Sequence, residues 1–168
     1  MRDGIRQENP MVALTTGHPA PDFALPTADG GRVSLAELRA SSRAGVIVYF
    51  YPQAGTPGCT AEACDFRDNL ATLQGAGYAV VGVSPDPVED LAAFAADQHL
   101  TYPLGSDAGH AVADAYGVWG PKTLDGRTFE GVRRSTVVVA PDGTVRLARY
   151  DVEARGHVAE LREALLGA

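Results

Sequence analysis

The sequence is poor in most of the features that assign a chain to a structural or polymer-binding role. It has only two cysteines in 168 residues, Cys59 and Cys64, too few for the disulfide framework of a secreted domain. It has one lysine, Lys122, and no basic run beyond Arg133-Arg134; with 14 basic against 21 acidic residues its formal net charge is −7. That argues against nucleic acid or an anionic membrane as partner. The first 25 residues contain no apolar run longer than MVAL, so no secretory core is expected. Nothing approaches the length of a membrane span. The four histidines, His18, His99, His110 and His157, are scattered without metal-ligand spacing, so neither a metal site nor a cofactor is expected. These absences leave a reducing cytoplasmic setting as the expectation, where a close cysteine pair is more often chemical than structural.

What is present is the length of one domain with an ordinary core: 45% hydrophobic and 21% charged residues. Residues 1–14 mix charge, Gly and Pro without periodicity and read as a flexible extension ahead of a single domain over 15–168. GVIVYFY (45–51) is a continuous β-branched and aromatic run, the pattern of a buried central strand. Pro52 to Gly58 breaks it, and a helix follows from Cys59, with Ala63, Phe66, Leu70 and Leu73 at helical spacing and Gly75 and Gly77 as stops. Thr56-Pro57 reads as its cap and first position. YAVVGV (78–83) is a second strand, and Asp86-Pro87 with Glu89 and Asp90 predicts another helix start. A short strand near Tyr102–Leu104 and a short helix around His110–Tyr116 follow. STVVVA (135–140) and TVRLARY (144–150) flank Pro141-Asp142-Gly143 as a hairpin. A last helix carries Val158, Leu161, Leu165 and Leu166. The alternation predicts an α/β domain with a mixed central sheet and helices on both faces.

The cysteines fall where the first buried strand turns into its helix. In the first helical turn, free backbone N–H groups and the helix dipole favour an anion, so Cys59 is placed to act as a thiolate. Its place on the apolar stripe points the sulfur inward, to the bottom of a pocket; Cys64 lies with Arg67 and Asp68 on a wetter flank. Residues five apart in a helix have Cα atoms roughly 8.6 Å apart, beyond the ~7 Å limit of a disulfide. The two thiols cannot bond while the helix is intact, so the pair reads as a two-state switch. Acidity alone does not make a fast nucleophile. A thiol whose pKa falls from ~8.5 to ~6 gains about thirtyfold in thiolate at neutral pH, and a Brønsted slope of ~0.4–0.5 takes back roughly tenfold. Other donors must stabilise the leaving atom. Thr56, three residues before Cys59, and one of Arg133 and Arg134 are the candidates, since adjacent strand positions face opposite ways. Trp119 reads as packing.

Pro52, Thr56 and Cys59 match the P-x-x-x-T-x-x-C motif of the peroxiredoxins, and YFYPQAGTPGCTAEACDFRD (49–68) resembles the bacterioferritin comigratory protein, or peroxiredoxin Q, branch of that family. APDF (20–23), GVWG (117–120) and GVRRST (131–136) add to the likeness, which covers about residues 15–168. Gln53 and Gly55 stand where that branch often carries a lysine and an aspartate. The resemblance implies a thioredoxin-like fold and a peroxidase. Cys59 would be the peroxidatic cysteine, Thr56 would orient the peroxide, Pro52 would shield the oxidised sulfur, and Arg134 would hold the thiolate. Cys64 would resolve the oxidised Cys59 as an intramolecular disulfide, reduced by thioredoxin or a similar dithiol. The branch implies a monomer acting on a hydroperoxide. The alternative is a redox sensor or binding module using the same disulfide switch; a thioredoxin-like disulfide reductase is disfavoured by the missing C-x-x-C.

Overall fold

The computed structural model describes residues 13–167. The expected flexible extension, residues 1–14, lies outside the described residues except for Ala13 and Leu14; the Leu14 amide donates to the Tyr150 hydroxyl at 2.9 Å. In chain order the first elements are β1 (Ala24–Pro26), β2 (Arg32–Ser34), α1 (Leu35–Ser41), β3 (Gly45–Phe50) and α2 (Pro57–Gly75). Then come β4 (Tyr78–Ser84), α3 (Val88–Gln98), β5 (Leu104–Ser106) and α4 (Ala111–Ala115). The chain ends with β6 (Trp119–Leu124), β7 (Arg127–Val132), β8 (Ser135–Val139), β9 (Val145–Arg149) and α5 (His157–Leu166).

The main sheet has five strands in the order β5-β4-β3-β8-β9. Strand β3 runs parallel to β4 and antiparallel to β8, so the sheet is mixed, as expected. Every residue of β3 is buried, because helices cover both faces. Ile47, Tyr49 and Tyr51 face a core closed by Phe66 and Leu73 of α2, Leu91 and Phe94 of α3, and Val158 and Leu161 of α5. Val46, Val48 and Phe50 face the other way, toward Leu35 of α1, Ala113 of α4 and Tyr116. This alternation is the period of two that a strand imposes.

Several elements differ from the expectation. The α1 helix and the β1–β2 and β6–β7 hairpins go beyond it. Ser34 accepts a hydrogen bond from the Glu37 amide at 3.1 Å, a cap with Glu in the third position. Asp125 and Gly126 join β6 to β7 with φ of 55° and 77°, the two-residue turn that Asp-Gly favours. The strand expected at Tyr102–Leu104 begins instead at Leu104. Tyr102 is used elsewhere: its hydroxyl meets that of Tyr49 at 2.7 Å and donates to the Ala63 carbonyl at 3.0 Å. Helix α3 starts at Val88 with Pro87 as its N-cap, one position later than expected. The Asp86 carboxylate accepts from the Ala54 amide and the Ser84 hydroxyl, each at 2.7 Å.

Candidate active site

The loop from β3 to α2 is pinned at both ends. The Tyr51 amide donates to Val83 O at 3.1 Å, prolonging the β3–β4 pairing, and Asp86 holds the Ala54 amide. Thr56 occupies the N-cap position, but its side chain does not cap the helix. Its hydroxyl donates to Gln53 O at 2.9 Å, closing the loop on itself. Pro57 takes the first helical position, where the missing N–H costs nothing, and Cys59 is the third residue of α2.

Cys59 points inward with Ala63 and Phe66 and is 1% exposed. Arg134 reaches it from the segment just before β8: Nη2 donates to Sγ at 3.4 Å, and Nη1 donates to Glu62 Oε1 at 2.6 Å. Glu62 lies one turn beyond Cys59 and is fully buried. Burial alone would lower the Arg134 pKa, but the charges of Glu62 and Cys59 together hold it above the ordinary value. Arg133 turns away to pair with Asp151, its Nε donating to Oδ1 at 2.7 Å. Of the two adjacent arginines, Arg134 is the one on the sulfur.

A cavity of about 450 Å³ opens beside this cluster, between Pro52, Lys122, Arg133, Arg134, Asp151 and Val152. Neither Cys59 nor Thr56 is part of its wall; the sulfur sits deeper than the expected pocket floor, with Arg134 between. Lys122 donates to Val132 O at 2.7 Å. Burial first, then Arg134, pushes its ammonium pKa below the ordinary value. Burial also pushes the Tyr51 phenol well up, so it stays neutral next to the cluster. A second cavity, about 430 Å³, is walled by Asp29, Arg32, Glu37 and Tyr102 and includes neither cysteine.

Both thiols are free, and both lie in the one unbroken helix α2. Cys64 is partly exposed; its Sγ donates to Gln98 Oε1 at the end of α3 at 3.2 Å. The structure therefore brings together Cys59 and Arg134, with Pro52 on the wall of the cavity that Arg134 also lines. It holds Cys64 apart from them. Three residues of the cluster escaped the sequence reading: Glu62, Lys122 and His157, whose Nε2 lies 3.0 Å from Glu62 Oε2. Glu62 did carry a signal, being a carboxylate three residues from Cys59 on an otherwise apolar stripe.

A buried free thiol at the start of a helix, clasped by an arginine on a mixed sheet sandwiched by helices, is the arrangement of a thiol peroxidase of the thioredoxin-like class. Residues 16–148 match the AhpC/TSA family, and the chain belongs to that family. It is 55% identical over 152 residues to an inferred peroxiredoxin of Mycobacterium tuberculosis, covering 90% of this chain and 95% of that one. It is 40% identical over 147 residues to the peroxiredoxin Bcp of Escherichia coli, covering 88% of this chain and 92% of the relative. Among solved structures, the bacterioferritin comigratory protein of Xanthomonas campestris superposes with a TM-score of 0.81 at 32% identity, over 91% of this chain and 98% of that one. The likeness is to the Bcp and peroxiredoxin Q branch, and the fold is thioredoxin-like. Among the described residues no helix is long and apolar enough to cross a membrane.

Proposed function

We propose that this peroxiredoxin reduces H2O2 and organic hydroperoxides with Cys59 and is recycled through an internal disulfide with Cys64. The observation that carries the reading is the Arg134 fork, one nitrogen on Cys59 Sγ and the other on buried Glu62. The Cys59 thiolate attacks the terminal oxygen of the peroxide. The S–O bond forms, the O–O bond breaks, and the departing alkoxide or hydroxide takes up a proton. Arg134 stabilises the charge on both the sulfur and the leaving oxygen. Thr56 orients the peroxide by turning its hydroxyl from Gln53 O toward it, and Pro52, on the cavity wall, shields the sulfenic acid. The cavity has room for an alkyl chain, in keeping with the alkyl peroxide reduction described for the Xanthomonas campestris protein.

The Cys64 thiolate then attacks the sulfenic sulfur; the S–S bond forms, the S–O bond breaks, and the departing hydroxide takes up a proton and leaves as water. Five residues of intact helix forbid that bond, so the first turns of α2 unwind to allow it. Thioredoxin or a similar dithiol then supplies two electrons and two protons to restore both thiols.

The test is one equivalent of peroxide followed by intact mass and thiol count. A loss of two hydrogens and both thiols is expected. A gain of one oxygen with Cys64 still free would rule out the internal disulfide. Peroxide turnover that survives Cys59→Ser would rule out the whole reading.

A further inference from the structure

His157 is a buried ionisable group that the chemistry above does not use. It opens α5 and is 5% exposed. Its ring packs edge-on against Phe66, one turn of α2 beyond Glu62, with centroids 5.9 Å apart. Nε2 lies 3.0 Å from Glu62 Oε2 and 3.2 Å from Thr136 Oγ1. Glu62 Oε2 is itself buried, and among the described residues no donor meets it in good hydrogen-bond alignment. A carboxylate oxygen left so is costly. A bare lone pair on Nε2 facing it adds repulsion, whereas a proton on Nε2 relieves both.

We propose that His157 is a positioning residue for Cys59, holding a proton while Cys59 is a thiolate and acting through Glu62 and Arg134. It rests on the reading of Cys59 as the reacting thiol. The charges decide the matter. With Cys59 as a thiol, Arg134 and Glu62 cancel, and a neutral imidazole completes an uncharged cluster. With Cys59 as a thiolate, the three groups in direct contact, Cys59, Arg134 and Glu62, leave one negative charge out of water, which is expensive; the Lys122 ammonium stands apart from them, on the cavity wall and bonded to Val132 O. An imidazolium at His157 returns the sum to zero. The proton that leaves Sγ is matched by one bound at the imidazole, so the cluster neither gains nor loses a proton overall.

The surroundings of the ring fit this role. Phe66 and Thr136, packed against it from α2 and β8, carry no charge. Its other side borders a cavity of about 370 Å³ with Arg149, Tyr150, Glu153, Arg155 and Glu160, two cations against two carboxylates. Glu62, whose other oxygen is held by Arg134, is the charged group it meets at hydrogen-bond range. That cavity shares only Val152 with the one beside Cys59, so His157 borders a different opening from the one that Arg134 lines.

Coupling of this kind is reciprocal, so it is measured from both ends. In a Cys64→Ser background one thiol remains, and the pH profile of its alkylation by iodoacetamide reads the Cys59 thiolate. His157→Gln keeps a neutral nitrogen donor toward Glu62 but cannot gain a charge. Alkylation on the acid limb is expected to fall about tenfold, the size of one pKa unit, with the alkaline plateau unchanged. A profile that superimposes on the parent's overturns the proposal. The reciprocal measurement keeps His157 and so does not depend on the variant folding: an NMR titration of its ring, compared between Cys64→Ser and Cys59→Ser/Cys64→Ser. The imidazolium should persist to higher pH when Cys59 is present, and coincident curves overturn the proposal. Neither readout uses peroxide or reductant, so a failure of the peroxidase reading is seen separately from a failure of this one.

Discussion

Arg134 holds Cys59 and Glu62 at once, with Nη2 3.4 Å from the sulfur and Nη1 2.6 Å from the carboxylate. Only a planar fork spans two acceptors in this way; an ammonium is a single point charge. Arg134→Lys is therefore expected to stay folded and to lose about 10²–10³ in kcat/KM toward H2O2, the cost of one misplaced donor to developing charge. Arg134→Met additionally strands Glu62, which is fully buried, and should lower stability by about 3–5 kcal/mol. Stopped-flow peroxide consumption and urea unfolding read the two effects. A lysine variant as fast as the parent would remove Arg134 from the chemistry.

Cys64 is tied down away from Cys59. Its thiol donates to Gln98 Oε1, Arg67 Nη1 donates to Gln98 O at 2.8 Å, and Tyr102 donates to Ala63 O. All three bonds fasten the second and third turns of α2 to the end of α3 and the segment before β5. Unwinding that lets Cys64 reach the oxidised Cys59 must break them. One such bond is worth about 0.5–1.5 kcal/mol, so Gln98→Ala should raise the rate of disulfide formation about two- to tenfold. Rapid-quench thiol counting after a peroxide pulse measures it, and over-oxidation of Cys59 at high peroxide should drop in step. A slower disulfide in Gln98→Ala would show that Gln98 guides Cys64 rather than restrains it.

The parts of this fold legible in the sequence were those whose signal is local. GVIVYF, YAVVGV and STVVV are long apolar runs, and each is a strand of the main sheet. The Pro-Gly break before Cys59 marked the turn from strand to helix. The three-residue strands β1 and β2 carry no period, whereas α1 and the β6–β7 hairpin were missed although Ser34 with Glu37 and Asp125 with Gly126 had written their cap and turn in residue type. The site was half legible for a different reason. Cys59 and Thr56 lie three residues apart at the start of α2, but Glu62 meets Arg134 72 residues later, and His157 comes from the last helix. Contacts between distant segments leave no spacing to read; only the oddity of a carboxylate on an apolar stripe pointed to them.

Asp107 offers a test in which the sign is set by burial. Its two oxygens accept from the Val112 and Ala113 amides, at 3.0 and 2.8 Å, and so hold the start of α4. Burial nonetheless pushes its carboxyl above the ordinary 3.8, outweighing the amide bonds that pull it down. The folded protein therefore binds this proton before the unfolded chain does. Its contribution to stability rises as pH falls through the raised value toward 3.8, and its cost is present in full above that value. Asp107→Asn binds no proton there. The stability difference between parent and variant, measured by urea unfolding from pH 7 down to pH 4, should move in the parent's favour on acidification. A difference that stays flat or moves the other way would contradict the burial argument.

Gly58 separates helix stability from catalysis at a single atom. It is the second residue of α2, where replacing glycine by alanine ordinarily gains about 0.5–1 kcal/mol. A Cβ added there would lie 3.2 Å from Arg134 Nη2 and 3.4 Å from the Ala154 Cβ. The first contact is tight enough that the guanidinium must give by a few tenths of an ångström. Nη1 is anchored on buried Glu62, so the displacement falls on Nη2, the nitrogen that faces Sγ. Gly58→Ala should accordingly keep or raise the midpoint of thermal unfolding while lowering kcat/KM for peroxide about tenfold, a misplacement effect. If both stability and rate rise together, the position of Nη2 over the sulfur does not control the chemistry, and the fork described above is a structural clasp.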